Sequence, residues 1–305
     1  MKQVVSVSLG SHQRDHEAEL TILGERVAVS RRGTDGDLDR AAAMIRALDG
    51  TVDAIGLGGI DRYLIVRDRR YEIEDARRLA QCATKTPVVD GSGVKNTLER
   101  DLVQQLHDEG IIRRSQTVLM VSAMDRFGMA EAFEALGYTL VAGDLIFSSR
   151  INYPIGSVDE LAELARKLLP ELARLPFQQL YPVGEDQITQ SDPRFSHYFA
   201  QADIVAGDFH YIRRYMPDDL TNKVVITNTT TGGDVDRLEE AGVRLLVTTT
   251  PVVRGRSFGT NVIEAALVAV TGFLSDHPDW GQVVRQANLK GTRIALRPSR
   301  QESRP

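Results

Sequence analysis

The segment Thr117–Asp144, TVLMVSAMDRFGMAEAFEALGYTLVAGD, decides the fold class that the sequence predicts. An apolar run covers Thr117–Val121, apolar residues at helical spacing cover Gly128–Leu136, and a second β-rich run covers Thr139–Ile146. Strand, helix and strand in this order form a βαβ unit, in which the two strands lie parallel in one sheet. The segment therefore predicts an α/β fold.

The same alternation continues outward in both directions. Two β-hairpins are predicted, at Ala18–Ser30 and Tyr63–Ile73. The other main predicted strands are Gln3–Leu9, Val52–Leu57, Ala202–Ala206, Lys223–Thr227 and Leu245–Thr249. The other main predicted helices are Asp37–Leu48, Asn96–Glu109, Asp234–Ala241 and Asn261–Leu274. The pattern predicts a Rossmann-like fold with a largely parallel sheet and two α/β domains. We place an N-terminal substrate domain at residues 1–115 and a Rossmann-like domain, ending in a helix, at residues 116–305.

Composition limits the classes of function. Of the 305 residues, 42% are hydrophobic and 26% charged, as in ordinary globular proteins. The net charge of −5 indicates no basic surface, so nucleic acid is not an expected partner. The apolar stretch Val262–Leu274 is interrupted by Glu264 and is shorter than the roughly 20 residues that span a bilayer. The single Cys82 excludes an internal disulfide. We expect a soluble, cytoplasmic protein with a small-molecule substrate, no metal and no membrane partner; a homodimer is compatible with the sequence.

Ligands of parallel α/β sheets bind at the carboxyl ends of the strands, so the residues after each apolar run are the candidate site residues. The first such loop runs from Ser8 to His16, where Ser11 and Arg14 are candidates for binding an anion. The second, Gly56–Asp61, is rich in glycine, which lets a ligand or another backbone approach closely.

The third loop, Asp90–Arg100, joins a buried strand to a helix predicted to begin at Asn96. Lys95 is placed to meet an anion at the helix N-terminus, or to form an acid/base pair with Asp90. The alternative is a capped turn with a surface lysine. The spacing of a phosphate-binding P-loop is absent. Lys95, Asp90 and Asn96 are the predicted catalytic residues.

The fourth loop follows the strand of the βαβ unit. Ala123, Asp125 and Gly128 stand where a dinucleotide-binding fingerprint has three glycines, and Asp144 has the spacing of the acid that binds a ribose hydroxyl. Asp125 opposes this interpretation, because its carboxylate would face the pyrophosphate. The predicted cofactor residues are Ser122, Ala123, Met124, Asp125, Gly128 and Asp144. A carboxylate at position 144 favours NAD over NADP.

The last set of candidates follows three C-terminal strands. Hydroxyl, amide and guanidinium groups there are suited to an anion or a sugar phosphate, and His210 beside Asp208 is a candidate acid/base pair. The predicted binding residues are Asp208, His210, Asn228, Thr249, Arg254 and Arg256.

Five segments resemble a bacterial family labelled quinate 5-dehydrogenase, within the quinate/shikimate dehydrogenase group. They are Ser6–Ser11, Asp90–Gly93, Asp125–Ala130, Gly207–Arg214 and Gly255–Asn261. The resemblance implies NAD(P)-linked oxidation of a ring hydroxyl, with a substrate domain before a Rossmann domain. It also implies a glycine-rich cofactor loop and a catalytic Lys–Asp pair. This chain departs from both, and Lys95, with Asn96 and Thr97, is the closest candidate for the second.

The leading hypothesis is an oxidoreductase that uses NAD or NADP on a quinate-like or shikimate-like polyhydroxy acid. In it Lys95 assists proton transfer and Asp90 orients it. Two alternatives remain open: a nucleotide-sugar transferase or epimerase with two Rossmann-like halves, and a non-catalytic ligand sensor.

Overall fold

The computed structural model describes residues 1–180, 193–253 and 256–296. The strands are β1 (Lys2–Ser8), β2 (His16–Ile22), β3 (Glu25–Gly33), β4 (Ala54–Gly58), β5 (Tyr63–Val66), β6 (Arg69–Glu72), β7 (Val88–Val89), β8 (Thr117–Met120), β9 (Thr139–Ala142), β10 (Ile204–Ala206), β11 (Val224–Thr227), β12 (Leu245–Thr248), β13 (Val252–Val253), β14 (Arg256–Ser257) and β15 (Arg293–Ala295). The helices are α1 (Leu38–Leu48), α2 (Glu74–Ala80), α3 (Ser92–Asp108), α4 (Phe127–Ala135), α5 (Asp144–Ser149), α6 (Val158–Leu172), α7 (Phe177–Leu180), α8 (Ser196–Gln201), α9 (Phe209–Tyr215), α10 (Gly232–Glu240), α11 (Thr260–Thr271) and α12 (Trp280–Gln286).

The chain forms two compact units, each built from three segments. Unit 1 comprises Met1–Glu99, Ala162–Ile188 and Phe258–Leu289; unit 2 comprises Arg100–Leu161, Thr189–Ser257 and Lys290–Pro305. Each unit has its own largely parallel sheet, so the predicted two-unit, Rossmann-like α/β fold is confirmed. Among the described residues, no helix is long and apolar enough to cross a membrane.

The sheet of unit 1 has the order β2-β3-β1-β4-β7. β1 is parallel to both β3 and β4, β7 is parallel to β4, and β2 is an antiparallel edge strand. The predicted first hairpin is present as β2 and β3. Its turn uses Leu23 and Gly24, both with positive φ (51° and 85°), as a tight two-residue hairpin turn requires.

The two faces of this sheet pack against different helices. Val7 and Leu57 point toward α1 and α2, where Ile45 and Leu79 complete an apolar core. On the other face α11 packs along β1 and β4. This helix is apolar on nearly all sides and buried from Asn261 to Ala269, as expected for a helix enclosed within a unit. The sequence predicts this helix as the end of the C-terminal domain, whereas in the structure it belongs to unit 1.

The sheet of unit 2 has the order β15-β12-β11-β10-β8-β9, and all pairs except β15 with β12 are parallel. Numbered along the chain, its parallel strands lie in the order 2-1-3-4-5. The strand order reverses between β8 and β10, and the ends of these strands are the place where such sheets bind ligands.

Two predicted boundaries are wrong. The predicted strand Thr139–Ile146 ends at Ala142, and α5 begins at Asp144. The ring of Phe147 packs over Gly143, where an added Cβ would lie 2.4 Å from it, so the apolar residues after Gly143 are buried in a helix. Helix α3 begins at Ser92 rather than Asn96. The carbonyl of Gly91 accepts from the Lys95 amide at 2.9 Å, which places Lys95 in the first helical turn rather than in a loop.

Candidate functional site

The carboxyl ends of β1, β4 and β7, which we call the unit 1 edge, hold a buried ion pair. Lys95 Nζ donates to Asp61 Oδ1 at 2.7 Å, and the two side chains are only 10% and 17% exposed. Lys95 comes from the first turn of α3, and Asp61 comes from the loop after β4. Lys95 is a predicted catalytic residue, whereas Asp61 is not among the catalytic residues predicted from the sequence.

Asp90, the predicted partner of Lys95, binds backbone amides on both sides of the ion pair. Its Oδ2 accepts from the amides of Arg62 (2.7 Å) and Tyr63 (3.0 Å), and its Oδ1 accepts from the amide and hydroxyl of Ser92. Asp90 thus ties the loop that carries Asp61 to the turn that carries Lys95. Asn96 lies half-buried in the same turn of α3.

A second buried carboxyl group belongs to this edge. Glu264 of α11 is 1% exposed and accepts from the Gly93 amide at 3.3 Å. Burial, reinforced by repulsion from Asp90, raises the pKa of Glu264 to about 8. The N-terminal amides of α3, which the sequence predicted to bind a ligand anion, therefore already bind a carboxyl group of the chain itself.

The loop after β1 is organised around Arg31 of β3 rather than Arg14. The Arg31 guanidinium donates to Ser8 Oγ (2.9 Å), to the Ser11 carbonyl (2.9 Å) and to Asp15 Oδ1 (2.8 Å). Arg14 lies in a 3-10 turn, His12–Arg14, which the Ser11 hydroxyl caps.

The glycines of the second predicted loop admit another backbone. A Cβ on Gly56 would lie 2.9 Å from the backbone carbonyl oxygen of Asn261, and the side-chain Nδ2 of Asn261 donates to Ser6 Oγ at 2.7 Å. The predicted close approach is therefore made by the backbone of α11.

The carboxyl ends of β8, β9, β10 and β11, which we call the unit 2 edge, also hold a carboxyl group on backbone amides. Asp144 accepts from the amides of Ala123 (3.1 Å) and Met124 (2.9 Å). Burial, with a contribution from the nearby Asp125, raises the pKa of Asp144 to about 7. The amides that would hold a pyrophosphate are thus satisfied by Asp144, and Gly128 is buried inside α4.

The cation of this edge is Arg126, which is 3% exposed. Its guanidinium lies 3.6 Å from Asp125 and 3.5 Å from Asp208. Asp208 also accepts from Asn228 Nδ2 at 2.6 Å and from the His210 amide at 2.8 Å. Burial works against its charged form, but the charges of His210 and Arg126, with these hydrogen bonds, lower the pKa of Asp208.

The remaining predicted residues are spread over unit 2. Ser122 Oγ accepts weakly from the Asp208 amide (3.4 Å), and the His210 side chain is exposed. Thr249 is buried at the end of β12. Arg254 lies outside the described residues, and only the backbone of Arg256, in β14, is described. No group of three or more His, Cys, Asp or Glu residues within the described ranges is arranged to hold a metal ion.

Two family models match the chain. Residues 93–294 match a domain of unknown function, DUF8754, and residues 3–90 match a second one, DUF8753. The two matched ranges meet in the turn between Asp90 and Gly93. No curated protein matches the sequence.

Solved structures resemble the chain at low identity. A glutamate dehydrogenase from Thermus thermophilus is 12% identical, with a TM-score of 0.42, over 94% of this chain and 74% of that one. An NAD-dependent malic enzyme from Thermotoga maritima is 13% identical, with a TM-score of 0.30, over 81% and 65%. A glucose-galactose binding protein from Geobacillus stearothermophilus is 10% identical, with a TM-score of 0.37, over 96% and 97%.

Proposed function

The chain belongs to the DUF8754 family, and we propose that it is an NAD(P)-dependent oxidoreductase that acts on a hydroxyl group of a polyhydroxylated acid of the quinate or shikimate type. The observation that carries the proposal is the buried Lys95–Asp61 pair at the carboxyl edge of a parallel sheet. Such edges are where α/β proteins bind small molecules.

The pair is suited to moving one proton. As an ammonium, Lys95 donates a proton to a substrate carbonyl oxygen that becomes a hydroxyl; as an amine, it takes that proton back in the reverse direction. Asp61 holds Nζ in one place, and Asp90 holds the backbone on both sides of the pair. The nicotinamide, when bound, supplies or accepts the hydride.

The unit 2 edge fits such a cofactor unevenly. Asp144 and Asp208 are acceptors for ribose hydroxyls, and the strand order places them beside the reversal between β8 and β10. The Ala123 and Met124 amides, however, are bound by Asp144, and Asp125 would repel a pyrophosphate. We assign only the nucleoside part of the cofactor to this edge.

A second candidate function follows from that uneven fit. A protein whose loop amides are already satisfied can bind a polyhydroxylated ligand without a dinucleotide, as a sensor. Ligand-dependent stability distinguishes the oxidoreductase from the sensor, because only the former should be stabilised by NAD or NADP. A ligand at 100 times its dissociation constant adds about 2.7 kcal/mol to the free energy of unfolding.

The test combines turnover with binding. Quinate and shikimate are offered with NAD or NADP, and absorbance of the reduced nicotinamide is followed in wild type, Asp61→Asn and Asp53→Asn. Asp53 is the matched control, because it forms the solvent-exposed pair with Lys2 at 2.9 Å in the same unit. We expect turnover in wild type and Asp53→Asn, and at least a tenfold loss in Asp61→Asn. A thermal shift with the acid alone and no turnover with either dinucleotide would favour the sensor instead.

A further inference from the structure

The first turn of α3 is held on three sides by the segment 258–289. Glu264 accepts from the amide of Gly93 (3.3 Å), and Trp280 Nε1 donates to its carbonyl (3.0 Å). A Cβ added to Gly93 would lie 2.3 Å from Ser275 Cβ, and one added to Gly91 would lie 2.4 Å from the Asn261 amide nitrogen. The turn is therefore fixed by hydrogen bonds and by close packing.

The same turn carries Lys95. The Lys95 amide bonds to the Gly91 carbonyl at 2.9 Å, so a movement of Gly91 and Gly93 moves the start of the lysine side chain. Asp90 supports both sides of the pair, because it binds the two amides that follow Asp61 and also the amide and hydroxyl of Ser92 in the turn of Lys95. Glu264 and Trp280 bind only the turn of Lys95, so changing them tests the position of the lysine while the support of Asp61 is kept.

The carboxyl group of Glu264 is better explained by its hydrogen bond to the first turn of α3 than by packing in the core. An apolar side chain would suit the buried face of α11, and a carboxyl group there is costly unless it is hydrogen-bonded. The Gly91 amide and the Ser275 hydroxyl favour its charged form and so oppose the effect of burial on its pKa. With its pKa at about 8, the group is mostly neutral at pH 7 and adds little negative charge beside Asp90.

We propose that Glu264, together with Trp280, is a positioning residue that holds the first turn of α3 where Lys95 reaches Asp61. The proposal rests on the function proposed above for Lys95, but it can be tested without turnover.

The test compares three variants. Glu264→Gln keeps a carbonyl oxygen that accepts from Gly93, Glu264→Leu keeps the packing but no acceptor, and Trp280→Phe keeps the ring but removes the donor. Glu163→Leu, at an exposed position of α6, is the control. The chain has six lysines, so the ¹⁵Nζ signal of Lys95 in ¹⁵N-lysine-labelled protein can be assigned with Lys95→Arg. The sole tryptophan, Trp280, reports the same turn by its emission.

We expect Glu264→Leu to shift the Lys95 signal toward those of exposed lysines and to move Trp280 emission to longer wavelength. The kcat of Glu264→Leu should fall at least tenfold, while its KM stays within about threefold of the wild-type value. Glu264→Gln should keep most of the wild-type kcat and most of the wild-type Lys95 signal. Trp280→Phe should shift the Lys95 signal in the same direction, and it decides the question if Glu264→Leu does not fold.

An unchanged Lys95 signal in both Glu264→Leu and Trp280→Phe would overturn the proposal. So would equal losses in Glu264→Gln and Glu264→Leu, because a lost acceptor would then not be the cause. Wild type without any turnover would refute the proposed oxidoreductase, while the Lys95 signal would still decide the positioning role.

Discussion

At each of the two sheet edges a carboxyl group accepts hydrogen bonds from backbone amides, but the cation is Lys95 at one edge and Arg126 at the other. At the unit 1 edge Glu264 accepts from the Gly93 amide at the start of α3, and at the unit 2 edge Asp144 accepts from the Ala123 and Met124 amides before α4. Both carboxyl groups have raised pKa values. Lys95 at the first edge has one carboxylate at 2.7 Å, whereas Arg126 at the second lies 3.5–3.6 Å from two. A lysine can release its proton and an arginine cannot, so the proton transfer proposed above requires Lys95 of unit 1, whereas Arg126 of unit 2 can only balance charge.

The largest effect is expected from Lys95→Met. Removal of a general acid/base typically lowers the rate about 10²–10⁴-fold, so kcat should fall within that range. The unfolding midpoint should fall as well, because Asp61 loses its partner, so kcat is compared at a temperature at which both proteins are folded. Steady-state kinetics measure this, with Lys2→Met at the exposed pair as the control. Full activity in Lys95→Met would remove the assigned difference between the two edges.

Arg126→Met should act on stability instead. It leaves Asp125 and Asp208 without the cation between them, and loss of one partner of a buried ion pair costs about 3–5 kcal/mol. Urea unfolding measures the loss, and the exposed Arg213, which pairs with Asp234 at 3.2 Å, provides the control Arg213→Met. A cost below about 1 kcal/mol would mean that Arg126 does not balance these carboxylates.

The two carboxyl groups predict a pH dependence. A folded pKa above the ordinary value means that the folded state holds its proton longer than the unfolded chain. The protonated carboxyl groups therefore contribute fully to stability below about pH 4. This contribution is lost as the pH rises through the folded pKa, which is about 7 for Asp144 and about 8 for Glu264. Asp144→Asn and Glu264→Gln should each make the free energy of unfolding depend less on pH. At pH 9 each variant should have a free energy of unfolding about 1–4 kcal/mol above that of wild type. Unfolding curves between pH 4 and 9 would contradict this if the slopes did not change.

The smallest effect concerns two glycines at the second position of a helix. An added Cβ at Gly93 of α3 overlaps Ser275 and Glu264, whereas one at Gly233 of α10 meets nothing within 4 Å. Gly93→Ala should cost about 1–3 kcal/mol by overpacking. Gly233→Ala should be neutral or stabilising by up to about 1 kcal/mol. Equal thermal midpoints for the two variants would show that the Gly93 turn has room to move.

Local pattern predicted much of this fold. Alternation of apolar residues located β2 and β3, and Leu23-Gly24 marked their turn. The residues after Gly143 were misassigned because a short apolar run such as Leu145–Phe147 suits a strand and a buried helix equally. Only the packing of Phe147 over Gly143 distinguishes them.

The site was predictable only in part. Lys95 was found because it stands after a buried strand at a predicted edge. Its pairing with Asp61 depends on β4 lying beside β7, and no local pattern contains that adjacency. The signal for Glu264 was present, because a lone acid in an otherwise apolar helix must have a buried polar partner. That partner, the Gly93 amide, lies far away in sequence.

The return of α11 to unit 1 has a consequence for synthesis on the ribosome. The strands of the first sheet are complete once residue 89 has been made, but the helix that covers β1 and β4 begins only at Thr260. Until then Ser6 and the glycines of β4 lack the helix that lies against them in the folded unit. The first unit to begin folding is therefore among the last to finish, and truncation before residue 258 would leave it open.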